Sequence, residues 1–188
     1  MALQGLAYWI GYKRALYRDY PLSEGALVTE LRSLIHANLP DDLFLKCEIG
    51  YSNLVKGVRP PAISGGKRAD MVIANRIKSK TKAGKMLFTP RFVMEFKRAG
   101  APPKEITKDL HRLAALKMAR PEVRAFLLVL SESSRNDCFV TERGKSRLGK
   151  QHVPDSTAMF YVRRTLKAAP AYENRESANY ASIIEVYA

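Results

Sequence analysis

The chain holds few of the residues that staple small secreted domains or build zinc sites. It has two cysteines, Cys47 and Cys138, and three histidines, His36, His111 and His152, in 188 residues. Two cysteines cannot form a disulfide framework, and the scattered histidines have no zinc-ligand spacing. Both cysteines lie near or within apolar segments, which reads as buried free thiols in a reducing compartment. No apolar run reaches the ~18 residues of a membrane span. In the N-terminal "MALQGLAYWIGYKRALYRDY" the Lys and Arg follow the apolar patch, the wrong order for a secretory signal. The expectation is a soluble protein of the cytoplasm, in a bacterial or phage setting. A phosphate-binding loop is missing too. Gly144-Lys145-Ser146 is present, but Phe139 stands where that loop needs its first glycine. "ISGGK" lacks the elements that precede a nucleophile elbow. There is no internal repeat and no low-complexity tail.

Acid is the scarcer charge. Against 32 Lys and Arg stand 18 Asp and Glu, a net charge of +14. So large an excess draws a polyanion, of which nucleic acid is the commonest; an acidic protein partner or a merely basic surface is the alternative. The apolar fraction of 46% and the charged fraction of 27% are those of an ordinary globular domain, and the length suits one domain with its own core.

Hydrophobic periodicity divides the chain. Leu3, Leu6, Ala7, Ile10 and Tyr17 predict a helix over 3–18, weakened by Gly5 and Gly11, with Pro21 behind it. Ser23 caps a second helix, "EGALVTELRSLIHANL", whose stripe is Leu27, Leu31, Leu34 and Ile35 and whose Glu30 sits beside that stripe. "DLFLKCEIGY" alternates as a strand with Leu43, Leu45, Cys47 and Ile49 on one face. A loop over 52–68 and a short strand "ADMVIAN" over 69–75 follow. A basic connector over 76–90 leads to the strand 91–97, and a helix over 104–119 buries Ile106, Leu110, Leu113 and Ala114. "RAFLLVLSE" is a fully buried strand, and "AMFYVRRTL" and "YASIIEVYA" are the last strand candidates. The order predicts an α/β or α+β domain with one mixed sheet between helices.

The chemistry concentrates at "RFVMEFKRAG". Glu95 and Lys97 share one strand face because side chains repeat every second residue. Taken alone they read equally as a surface ion pair, Lys97 with Asp70 or Glu95, of little energetic weight. If the strands 69–75 and 91–97 are antiparallel neighbours, Asp70 begins one where Glu95 ends the other. Two converging carboxylates repel unless a cation lies between them, and Mg²⁺ takes oxygen ligands of this kind. Lys97 could then hold or help deprotonate a water, or stabilise charge on a phosphate. Glu30 could add a ligand or orient a water.

Asp70 followed by Glu95-Phe96-Lys97, behind a helix carrying Glu30, resembles the PD-(D/E)XK nuclease superfamily over about residues 23–132. The resemblance implies a restriction-endonuclease-like core of helix, three strands, helix and strand, with helix 3–18 and strands 158–188 as additions to one domain spanning 1–188. It implies that Asp70, Glu95 and the Phe96 backbone carbonyl hold Mg²⁺, with Mn²⁺ as substitute, that Lys97 serves the attacking water, and that Glu30 matches the family's helix acid. "KRAD" stands in place of the literal Pro-Asp. The implied activity is Mg-dependent endonucleolytic cleavage, in DNA before RNA. A ribonuclease, or a non-cleaving nucleic-acid-binding subunit of the same fold, remains an alternative. Candidate phosphate contacts are Arg59, Lys67, Arg68, Lys78, Lys80, Lys82, Arg91, Arg98, Lys104, Lys108, Lys145 and Arg147. Specificity would come from the loops 52–68, 76–91 and 143–151, a homodimer or a protein partner.

Overall fold

The computed structural model describes residues 1–188 except 17–21, 58, 81–85, 133–134 and 169–177, and of residues 15, 77–80 and 86–88 the backbone alone. Its centre is a seven-stranded mixed sheet in the order β1-β2-β3-β4-β7-β6-β5. The strands are β1 (Leu43–Gly50), β2 (Arg68–Lys80), β3 (Met86–Arg98), β4 (Arg124–Ser131), β5 (Gln151–His152), β6 (Met159–Lys167) and β7 (Tyr180–Tyr187). All neighbours are antiparallel except β3 and β4, which the helix α4 (Pro103–Ala119) joins in parallel.

Two apolar layers follow from the alternation of the strands. On one face α4, the short α3 (Tyr51–Leu54) and a 3-10 turn (Pro61–Ile63) pack on Val72, Val93, Leu127, Phe160 and Ile184. On the other, α1 (Ala2–Leu16) and α2 (Glu24–His36) bring Leu6, Ile10, Leu27 and Leu31 onto Met71, Met94, Phe96 and Leu128. The mixed sheet between helices is thus as the periodicity predicts. The Ser23 hydroxyl accepts the Ala26 N–H at 3.1 Å and caps α2. Gly5 is the close approach of the two N-terminal helices, since a Cβ there would meet a Leu34 methyl at 3.0 Å. Among the described residues no helix is long and apolar enough to cross a membrane.

Four expectations need correction. The connector 76–90 is mostly strand: β2 runs on to Lys80 and β3 starts at Met86. The stretch 52–68 contains α3 and the 3-10 turn. The face of β1 changes partway: Leu45 and Cys47 pack toward α1 and α2, but Ile49 packs toward α4. Glu48, with a left-handed φ of 55°, interrupts the two-residue repeat between them. Lastly, Cys138 is exposed and Cys47 half-buried, because the loop ahead of β5 buries Phe139 and Val140 instead of the thiol.

Candidate active site

The ladder between β1 and β2 pairs Cys47 with Met71 and Ile49 with Ala69, and skips the Glu48–Asp70 position between them. On β2 the break is equally clear: Ala69 packs toward α4, whereas Met71, two residues on, packs toward α1 and α2. Asp70 therefore sits where neither strand follows a regular pleat. Its Oδ2 accepts the Phe96 backbone N–H at 2.6 Å, beyond the last regular β2–β3 pair, Met71 with Met94. The N–H and C=O of one strand residue leave by the same edge. The Phe96 carbonyl is thus turned toward β2 as well.

Glu95 points into the α4 layer and is 2% exposed. Its Oε1 accepts the Tyr51 hydroxyl at 2.6 Å. Burial pushes its pKa up to about 9, and the Asp70 and Asp109 charges push the same way; the Tyr51 hydrogen bond and the Arg112 charge oppose them. Burial and the Glu95 carboxylate hold the Tyr51 phenol far above its ordinary value, so it stays a donor.

Lys97 lies two residues on and turns to the same layer, where its ammonium meets Asp109 Oδ2 of α4 at 3.3 Å. The ion pair expected with Asp70 or Glu95 is thus made with a different acid. Asp109 is 1% exposed, and its Oδ1 also receives Arg112 Nη1 at 2.5 Å. Burial works against the Lys97 charge, but Asp109, Glu24 and Asp70 outweigh it and leave the pKa raised. Burial raises the Asp109 pKa despite Lys97 and Arg112. Glu95 and Lys97 thus share one layer by strand alternation, and the antiparallel pairing of β2 with β3 brings Asp70 to the same end of the sheet. Glu30 is not part of that group among the described contacts: it is half-buried on α2, and the α2 acid whose charge reaches Lys97 is Glu24 of the first turn.

The oxygens left over matter for a cation. Among the described residues, Asp70 Oδ1 and Glu95 Oε2 receive no hydrogen bond, and neither carboxylate has a Lys or Arg salt bridge. Two carboxyl groups without a salt-bridge partner, beside a main-chain carbonyl, form a hard oxygen donor set that suits Mg²⁺ or Mn²⁺ and would ionise fully on binding it. No three His, Cys, Asp or Glu side chains among the described residues are grouped to hold an ion alone. An ion here would keep several waters, as Mg²⁺ does.

The basic candidates separate by position. The N-terminus of β2 and the C-terminus of β3 form the site end, which places Lys67 and Arg68 near Asp70, and Lys104 on the first turn of α4. Lys67, Arg68, Lys104, Lys145 and Arg147 are exposed and Arg59 is half-buried. Lys67 Nζ donates to the Pro61 carbonyl, and Arg147 Nε to the Asp137 carbonyl. Lys108 is held by Glu105 at 2.7 Å, and Arg98 by Glu132 at 3.0 Å. Lys78 and Lys80 belong to the far end of the β2–β3 hairpin, Lys78 being roughly 26 Å along the strand from Asp70. The Lys80–Met86 pair marks the end of the two antiparallel strands opposite the acids, so their place between the two strands in sequence does not bring them to the site. Arg91 is exposed in mid-strand, at the β3 bulge. Lys82 lies outside the described residues.

Sequence periodicity missed Tyr51, Asp109 and Arg112. Asp109 did leave a signal, an acid three residues after Ile106 and four before Leu113, inside the buried stripe of α4. No family model, no curated protein and no solved structure matches this chain.

Proposed function

We propose that the chain is a metal-dependent endonuclease of the PD-(D/E)XK type, hydrolysing phosphodiester bonds in DNA. The observation that carries this reading is the meeting of Asp70 and Glu95, each with a free carboxylate oxygen, beside a Lys97 held in its charged form. The order α2–β1–β2–β3–α4–β4 supports a restriction-endonuclease-like core, since it repeats that fold's helix, three strands, helix and strand. The net charge of +14 supports a polyanionic substrate.

Asp70, Glu95 and the Phe96 carbonyl would hold Mg²⁺, or Mn²⁺ in its place. Bound there, the ion supplies water activation and neutralisation of phosphoryl charge. The chain's own residues do the rest. Tyr51 fixes the Glu95 rotamer and, by donating to Oε1, favours the ionised carboxylate. Lys97 donates hydrogen bonds to the attacking water or to the phosphate oxygens, where its charge offsets the negative charge that grows in the transition state. The raised Lys97 pKa favours this donor role over proton abstraction. Asp109, itself braced by Arg112, positions the ammonium. Lys67, Arg68 and Lys104 are placed to steer the backbone to this end of the sheet.

The test incubates the protein with plasmid, single-stranded DNA and RNA, with Mg²⁺ or Mn²⁺ against EDTA. Cleavage that survives EDTA, or that Glu95→Ala and Lys97→Ala leave intact, sinks this mechanism. Cleavage of RNA alone makes the chain a ribonuclease, and metal-blind binding without cutting makes it a binding module.

A further inference from the structure

At the end of the sheet away from Glu95, the α1/α2 layer gives way to a ladder of arginines and aromatic rings on four adjacent strands. Phe92 of β3 lies beside Arg124 of β4 in register, and Phe126, Glu185 and Tyr161 lie in one row across β4, β7 and β6. The Arg124 guanidinium stands 5.7 Å from the Phe92 ring centre and 4.9 Å from that of Phe126. The Arg163 guanidinium stands 5.6 Å from Tyr161 and 5.4 Å from Tyr187, two rings set edge to face at 5.2 Å.

Glu185 links the two halves. It is 4% exposed and accepts Arg124 Nε at 2.8 Å, Arg124 Nη2 at 3.0 Å and Arg163 Nε at 2.6 Å. One buried carboxylate thus fixes two half-exposed guanidinium groups, with one positive charge to spare. Arg124 keeps Nη1 free of Glu185, and Arg163 keeps both terminal nitrogens free of it. A bulge sharpens the pattern. Val162 pairs with Ile184 but Arg164 with Ile183, so Arg163 is the extra residue. Arg164 then shares the face of Ile183, next to Arg163, whereas a regular strand would turn one of the two away. Both arginines are exposed. Beyond them lies a concavity of about 500 Å³ lined by Lys150, Met159, Tyr161, Arg163 and Tyr187.

We propose that this outer sheet face is a platform for single-stranded nucleic acid, separate from the cleavage site. Bases stack on the Tyr161, Tyr187 and guanidinium faces, and phosphates take the free N–H groups of Arg163, Arg164 and Lys150. The row spans four strands, or about 14 Å at the usual spacing, which suits two or three nucleotides. Charge decides for a nucleic acid over a neutral peptide: the one acid of the ladder is buried under arginines, and the chain carries +14. The inference rests on the reading that this chain handles nucleic acid, and not on its cutting it.

The test is fluorescence anisotropy of labelled single-stranded DNA and RNA and of a duplex, in EDTA, where cleavage does not enter. The variants are Arg163→Ala with Arg164→Ala, Tyr161→Leu with Tyr187→Leu, and the charge control Arg32→Ala, each checked for an unchanged melt. The tyrosine pair removes no charged group and leaves Glu185 its two arginines, so it decides the outcome should the arginine pair unfold. The expected result is at least a tenfold loss of single-strand affinity in both ladder variants and under twofold in the control. Losses no larger than the control's overturn the proposal. So does competition by polyglutamate as strong as that by oligonucleotide, which would make the surface a dock for acidic protein. Plasmid cleavage in Mg²⁺ is scored separately: a ladder variant that cuts but binds single strands poorly supports both readings. Wild type that binds single strands tightly but never cuts keeps the platform and loses the nuclease.

Discussion

Lys97 keeps its charge in a half-buried setting because Asp109 is there to meet it. Removing the ammonium with Lys97→Ala, or the carboxylate with Glu95→Ala, is expected to lower the cleavage rate by about 100-fold or more, read in plasmid nicking under saturating Mg²⁺. Asp109→Asn keeps the shape and loses the charge, and a smaller fall of about tenfold is expected for such a positioning group, measured below the variant's lowered melting temperature. Tyr51→Phe takes the donor from Glu95 Oε1. The Mg²⁺ concentration for half-maximal cleavage should rise several-fold while the maximal rate is nearly kept; an unchanged Mg²⁺ midpoint would remove Tyr51 from the site. At this scale the sequence was partly legible. Asp70, Glu95 and Lys97 can be found because strand alternation and strand ends are local properties. Tyr51 cannot, since it meets Glu95 across 44 residues of chain. Glu30 looked eligible by its helical angle, but an angle on α2 does not say how that helix lies on the sheet. Glu24, the residue directly after the N-cap, is the acid that Lys97 feels.

Among the elements, β4, β7 and β6 are stitched by Glu185. Burial alone would raise its pKa, but the hydrogen bonds of Arg124 and Arg163 outweigh that and hold it below the ordinary 4.5. A lowered folded-state pKa means stability that is fully present above about 4.5 and lost as pH falls through the folded value. Glu185→Gln should therefore destabilise the protein by about 1–2 kcal/mol near neutral pH. Thermal melts of the two proteins should converge in acid; a constant gap at every pH would contradict the linkage. The loop from Thr141 to Ser146 is a second device. Gly144 has φ of +70°, and a Cβ there would meet the Tyr180 hydroxyl at 3.0 Å. Gly144→Ala is expected to cost about 1 kcal/mol or more, seen as a shifted denaturation midpoint. Helix α2 was readable from its cap and stripe, and α4 from its stripe alone. The long β2–β3 hairpin was not, since Arg76-Ile77-Lys78-Ser79-Lys80 has the composition of a solvated loop and becomes strand only by pairing with its neighbour.

For the whole molecule the sign of the charge and its placement are separate matters. The +14 was plain in the composition, but the folded chain divides it: some cations at the Glu95 end, some on the hairpin, and Arg124, Arg163 and Arg164 on the outer sheet face. Oligonucleotide affinity should fall more than tenfold between 50 and 200 mM salt if several phosphates are engaged. A flat titration would speak against any polyanion. The helix–strand–strand–strand–helix–strand order was legible because each piece has its own period. The sheet's continuation through β7 was not, because β4 and β7 are far apart in sequence, and only the folded chain says which strands pair. That pairing has a consequence during synthesis. The apolar strand β4 is complete some fifty residues before Tyr180 appears to cover its free edge. At the usual pace of a ribosome the wait is roughly 3–10 seconds. Through that interval Phe126–Leu130 is an open hydrophobic template, so a chain stopped short of β7 is expected to be captured by chaperones or to aggregate, with Asp70, Glu95 and Lys97 already made.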